Sequence, residues 1–277
     1  MTPIIEHKCI LGESPLWDAS TKTLWWVDIK SSTIHQVVDR EHTEHKITVR
    51  PSALGLTTSG SLIVAAENGL YLYDPTTRTL TQNLTVSEPT SNRTNDGKVG
   101  PDGAFWFGTM DDAEEEVSGA LYSYHPARGL QKHLDGIKIS NTFAWSPDGT
   151  LMYFADSAQQ TIWRMAFNAE TGEMGNREVF VSLKGTDCYP DGSAMDANGC
   201  LWNAQWGGSR VVQYAPDGSV KEIIGLPTSQ PTSCAFVGSH LLVTTASIGL
   251  EEDSFAGLTF LIPVGVEGAS ISPFGLS

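Results

Sequence analysis

Glu13, Asn95, Asn141 and Asp191 stand 10 or 11 residues ahead of apolar runs that begin at Leu24, Phe105, Leu151 and Leu201. Two carboxylates and two amide oxygens are donors that a hard divalent cation takes, provided one fold brings them together. Held close without a cation, the two carboxylates would repel and one would pick up a proton. Arg93 lies two residues before Asn95, so along an extended segment both side chains share a face. A guanidinium is poorly suited to coordinate a metal, but it donates well to a substrate carbonyl or hydroxyl. Its structural use would be a salt bridge to Asp96 or to a neighbouring strand. Asn-Asp-Gly at 95–97 and Pro-Asp-Gly at 190–192 are also ordinary turn spellings. Any one of these residues could serve a turn, whereas four at one phase of a repeat point to a shared site.

Other chemistries find little footing. None of the seven histidines (His7, His35, His42, His45, His125, His133 and His240) falls at that phase, so neither a histidine base dyad nor a His-rich zinc site is expected. There is no G-x-S-x-G elbow and no phosphate-cradling glycine loop. A formal net charge of −15, with 17 scattered Lys and Arg, argues against nucleic acid as a partner. Cys9, Cys188, Cys200 and Cys234 form no C-x-x-C pair and are expected as free buried thiols. The chain opens without a secretory h-region, and no apolar run approaches the roughly 20 residues of a membrane span. No membrane association and a cytoplasmic location are therefore expected. The 40% hydrophobic content is ordinary for a globular protein.

The elements that must position these side chains repeat along the chain. Six turns rich in Gly, Asp, Asn or Ser each lead into a short β-branched or aromatic run, starting at Leu24, Leu62, Phe105, Leu151, Leu201 and Leu241. Successive starts are 38, 43, 46, 50 and 40 residues apart, near the roughly 40–50 residues of a propeller blade. A strand precedes each turn and alternating strands such as Gly69-Leu70-Tyr71-Leu72-Tyr73 follow it, giving four short strands per period. No segment sustains a helical period, and the acidic run from Asp111 to Glu116 reads as a solvated loop. The expectation is all-β: a single six-bladed β-propeller domain over residues 1–277, four antiparallel strands per blade. The last period supplies only three strands, so the N-terminal segment around Ile4 and Ile5 is expected to join the last blade and close the ring.

Rotation about a propeller axis relates equivalent positions in successive blades. The residue just before each innermost strand therefore faces the channel mouth, where Glu13, Asn95, Asn141 and Asp191 would converge. The second and sixth repeats offer Ser52 and Pro231-Thr232 at that phase. Lys98 is expected at the surface. Tyr189, Phe143 and Trp206 flank the polar segments and are candidate apolar walls of the site.

Along nearly its whole length the chain resembles the SMP-30/gluconolactonase/LRE family of regucalcin-like sugar lactonases. The resemblance rests on Gly12-Glu13-Ser14-Pro15-Leu16-Trp17, on Asn92-Arg93-Thr94-Asn95-Asp96-Gly97-Lys98 and on Gly108-Thr109-Met110. It continues through Gly119-Ala120-Leu121-Tyr122, the segment Ser140 to Asp148, and Pro190-Asp191-Gly192. It implies a six-bladed propeller with one divalent metal ion, Ca2+ or Zn2+ first, with Mn2+ or Mg2+ also accepted in the family. Glu13, Asn141 and Asp191 would hold the metal, Arg93 and Asn95 the lactone, and Asp191 would also be the catalytic base. The implied activity is hydrolysis of an aldonolactone of gluconolactone, galactonolactone, arabinonolactone or xylonolactone type, or a charged analogue, to the aldonic acid in sugar catabolism. The partner is then a small-molecule sugar lactone, and an anionic tail on it would call for a second cation, Lys138 or Arg210. One departure is Thr142-Phe143 after Asn141, where Gly-Leu or Gly-Ile is frequent in the family. The competing readings are a non-catalytic Ca2+-binding propeller and a paraoxonase-like esterase on the same fold.

Overall fold

In a computed structural model, residues 1–275 are described, and their strands form six antiparallel sheets, five of four strands and one of three. Each sheet is a meander in chain order, and the sheets stand round a ring as the six blades of a β-propeller. The innermost strands are Gly12–Asp18, Pro51–Leu56, Asn92–Val99, Ser140–Trp145, Tyr189–Met195 and Pro231–Val237, for blades 1 to 6. Each packs against the next, and the last returns to the first. In five of the six repeats the turn before the second strand carries a glycine with positive φ (Gly60, Gly103, Gly149, Gly199, Gly238), while blade 1 places Lys22 there. That left-handed conformation explains why glycine dominates these turns.

Burial follows the ring. The innermost and second strands are almost wholly buried, and outer strands such as Thr79–Thr85 and Val220–Gly225 are largely exposed. The core is accordingly cut into six wedges between blades rather than gathered at a centre. The wedge between blades 3 and 4, for example, packs Trp106, Phe143, Trp145, Phe154 and Phe167. The four cysteines are free and buried, as expected. Helix is confined, among the described residues, to one short 3-10 turn at Ser157–Gln159.

The ring does not close through the full strand expected from the N-terminus. That segment meets the last blade at a single bridge, Pro3 with Phe260, beside a hydrogen bond from Ile4 N to Thr259 O of 2.9 Å. Proline has no N–H to extend the ladder. Further stitches follow at Cys9 N to Gly257 O (2.8 Å), at the Leu11–Ala246 bridge and at Ser247 N to Ile10 O (3.0 Å). A second feature has no counterpart in the repeat. Past Pro263 the chain crosses the face where the innermost strands end, bridging Asp196 of blade 5 by Gly268 and Thr57 of blade 2 by Phe274. Among the described residues, no helix is long and apolar enough to cross a membrane.

Candidate metal and substrate site

All six innermost strands break register with their neighbours at the same phase. The shifts lie between Glu13 and Leu16, Pro51 and Ala53, Asn141 and Ala144, Pro190 and Ser193, and Pro231 and Ser233, and in blade 3 opposite Phe107 and Thr109. A bulge re-aims the side chain beside it, and here six of them turn side chains towards the axis. In blade 1 the bulge holds Ser14 at φ 50°, and in blade 4 it holds Thr142 at φ 61°. A β-branched residue in that region is strained, and glycine would occupy it freely. This is the physical sense of the departure at Thr142. The strained residue is fastened: its hydroxyl donates to the Asp191 carbonyl at 2.5 Å and accepts from Asn203 Nδ2 at 3.2 Å. Blade 5 uses Gly192 at the bulge because a Cβ there would sit 2.1 Å from Ser233 Oγ of blade 6.

Glu13, Arg93, Asn95, Asn141 and Asp191 line one cavity of about 590 Å³ at the mouth, each 3 to 8% exposed. Tyr189 and Trp206 line it too, together with Met110 and Ile139. Phe143 does not: it is fully buried between blades 3 and 4, edge-on to Phe154, because strand alternation across the bulge sends it away from the axis. Lys138 and Arg210 do not line the cavity either. Arg210 donates to Gln205 Oε1 at 2.7 Å, and the cation at the rim is Lys30.

Hydrogen bonds fix the polar groups. Arg93 Nε donates to Asp112 Oδ1 at 2.8 Å, and Nη1 donates to Asn95 Oδ1 at 2.7 Å and to Thr94 O at 3.0 Å. Asp112 is held in turn by Arg50, which also pairs with Glu67. Among the described residues Nη2 of Arg93 has no partner, so the fork is anchored with one end left for a ligand. Asn95 Nδ2 donates to Ser140 O at 3.0 Å and reaches Asn141 Oδ1 at 3.5 Å. Its amide thus links the arginine to Asn141, whose own Nδ2 is held by Ser157 Oγ at 2.8 Å.

The carboxylates share one arrangement. Glu13 Oε2 accepts from Ser14 N at 3.1 Å, and Asp191 Oδ1 accepts from Gly192 N at 3.0 Å. The second oxygen of each accepts no hydrogen bond among the described residues. Burial, and then repulsion from Asp96, pushes Glu13 up to about 8. Burial together with Glu13 and Asp96 raises Asp191 well above the usual carboxylate range. Buried like charges with one free oxygen each, beside the weakly engaged Oδ1 of Asn141, are a donor set a divalent cation fits. Asp96 itself faces the channel beneath, a second cavity of about 220 Å³ that Ala269 to Ser272 cap from the far side. Lys98, expected at the surface, points into the interior, where its Nζ donates to Ser193 O at 2.6 Å.

Three contributors escaped the sequence reading. Asp112 and Glu114 belong to the acidic run taken as a solvated loop, yet one braces Arg93 and the other lines the cavity. Ser157, which orients Asn141, sits outside the repeat phase on the 3-10 turn.

Residues 11–247 match the family model described as SMP-30/Gluconolactonase/LRE-like region. The chain belongs to this family. Among its relatives is a 6-deoxy-6-sulfogluconolactonase of Pseudomonas putida, 32% identical over 282 residues, covering 96% of each chain. An L-arabinolactonase of Azospirillum brasilense is 34% identical over 262 residues, covering 92% of this chain and 87% of that protein. Among solved structures, one described as a calcium-binding protein, regucalcin, from Agrobacterium tumefaciens superposes with a TM-score of 0.94 at 34% identity. That alignment spans 99% of this chain and 97% of the other.

Proposed function

We propose that this protein is a metal-dependent sugar lactonase, hydrolysing an aldonolactone to the aldonic acid. The observation that carries it is the pairing, in one cavity, of two buried carboxylates with free oxygens and an anchored arginine with a free Nη2. Glu13, Asn141 and Asp191 would hold one divalent ion, Ca2+ or Zn2+ before Mn2+ or Mg2+. When bound, it supplies Lewis acidity for the lactone carbonyl and charge stabilisation as the oxygen becomes anionic. Arg93 donates through Nη2 to substrate oxygens, with Asp112 and Asn95 fixing the plane of its fork. Asn95 positions Arg93 and Asn141 and adds the remaining lone pair of its own Oδ1. Tyr189 and Trp206 offer ring faces to the apolar side of a sugar. Asp191 also takes the proton of the attacking water and returns it to the departing ring oxygen. Lactonase names among relatives at 32 and 34% identity support this reading.

A panel of aldono-1,4- and 1,5-lactones, with acid release followed with and without chelator, tests it. Turnover surviving in thoroughly metal-free protein, or in Asp191→Ala, would overturn the mechanism. A calcium-binding propeller without catalysis is the second reading, favoured by the likeness to regucalcin; it predicts binding of Ca2+ and no turnover across the panel. A histidine-assisted esterase is disfavoured because no histidine lines the cavity among the described residues.

A further inference from the structure

The seam between blades 6 and 1, where the ring closes, has the thinnest apolar wedge. It holds five buried residues, Cys9, Leu24, Trp26, Val37 and Leu242, against 8 to 12 in the other seams. Beside it stands a group of side chains that the mouth cavity does not use: His7, Cys9, His35, His42 and Glu44. Cys9 and His35 are 1% and 0% exposed, and His7 is half-buried. Cys9 Sγ lies 3.7 Å from His35 Nε2, and with a ring nitrogen of His7 all three donor atoms fall within 4.8 Å of one another. Tetrahedral zinc, with bonds of about 2.3 Å to sulfur and about 2.0 Å to nitrogen, sets such donors roughly 3.5 Å apart. The buried pair already stands at that spacing.

The surrounding contacts suit the same purpose. His35 Nδ1 is 2.9 Å from His42 Nε2, and a proton placed on Nδ1 leaves the Nε2 lone pair directed at Cys9. A second ring nitrogen engaged in this way is how ligating histidines are oriented. Trp26 stacks on His35 at 5.0 Å and 9°, and its Nε1 donates to Cys9 Sγ at 3.4 Å, a donor that offsets part of the burial and of the Asp28 charge that disfavour a free thiolate there. Glu44 Oε1 stands 3.6 Å from His7 Nδ1 on the solvent side.

We propose that His7, Cys9 and His35 bind one borderline-to-soft transition-metal ion of the Zn2+ class, pinning the N-terminal segment across the closing seam. One thiolate and two imidazoles select such an ion over Ca2+ or Mg2+, which take oxygen donors. Binding releases the Cys9 thiol proton to solvent and changes no oxidation state, and water completes the coordination on the His7 side. Such a site would stand outside the repeat phase at which no histidine falls. His7 and Cys9 lie in the segment before the first repeat, alternating onto one face.

Titrating metal-free protein with Co2+ alone tests the proposal. Wild type should develop a thiolate-to-cobalt charge-transfer band saturating at one equivalent per chain, and Zn2+ should bleach it. Cys9→Ser should remove the band. His7→Gln, on a half-buried segment, should weaken Co2+ binding at this site at least tenfold while circular dichroism and lactone hydrolysis stay at wild-type levels. In Asp191→Ala, where the mouth site is crippled, Zn2+ should still raise the unfolding temperature, and adding His7→Gln should abolish that rise. No band in wild type, or a band that survives Cys9→Ser, overturns the proposal. Because the readout is thiolate ligation rather than turnover, it stands or falls separately from the lactonase reading.

Discussion

Blades 2 and 6 carry the same bulge as blades 1, 3, 4 and 5, yet among the described residues they bring no oxygen-bearing side chain from it to the mouth cavity. At the equivalent phase Ser52 Oγ pairs with Thr94 Oγ1 of blade 3 at 2.7 Å. Thr232 Oγ1 donates to Gly12 O of blade 1 and lies 2.8 Å from Thr244 Oγ1. Short hydroxyls at this position lace neighbouring blades together, while the longer Glu13, Asn95, Asn141 and Asp191 reach the cavity. The bulge is thus a property of the fold, and side-chain length and charge decide whether it serves the site or the scaffold.

The comparison breaks most directly at Asp191. Asp191→Ala should lower lactone turnover by about 10³-fold or more, since the proposed ligand and base would be lost together, with the fold retained by circular dichroism. Glu13→Gln should weaken divalent-ion binding by roughly 10²-fold, read by calorimetric titration. Arg93→Lys keeps the charge but loses the fork to Asp112 and Asn95, and should raise KM about tenfold. Metal-free protein should lose stability as pH rises. Glu13 titrates at about 8 when folded but near 4.5 when unfolded, so in that window the unfolded chain has shed protons the folded chain keeps. A bound cation removes the penalty, so the gap in Tm between loaded and metal-free protein should widen from pH 4.5 to pH 8. Ser52→Ala sets the small end: about 1 kcal/mol for its hydrogen bond, or about 2–4 °C in Tm, with turnover unchanged.

Much of this arrangement was legible in the sequence because a propeller repeats. Six turn-and-strand copies gave blade number and strand order, and the phase of Glu13, Asn95, Asn141 and Asp191 brought four residues to one cavity without any knowledge of contacts. What the repeat could not carry was set by contacts outside it. Asp112 reads as one acid in a charged run, and only the approach of Arg93 and Arg50 makes it a brace. Phe143 follows a bulge, so counting by simple alternation puts it on the wrong side. The closing bridge at Pro3 and the C-terminal crossing belong to no blade, and periodicity is silent about both.

The lacing of Thr232 to Gly12 joins residues 220 apart in the chain. During synthesis Glu13 emerges 178 positions before Asp191, a wait of about 10 to 40 s at ordinary elongation rates. Throughout that interval the first blade exposes a flank that only the last blade can cover, and the cavity that Glu13 lines is still without Asp191. The nascent chain therefore depends on its earliest blades remaining soluble as an open arc until the last blade arrives to cover that flank.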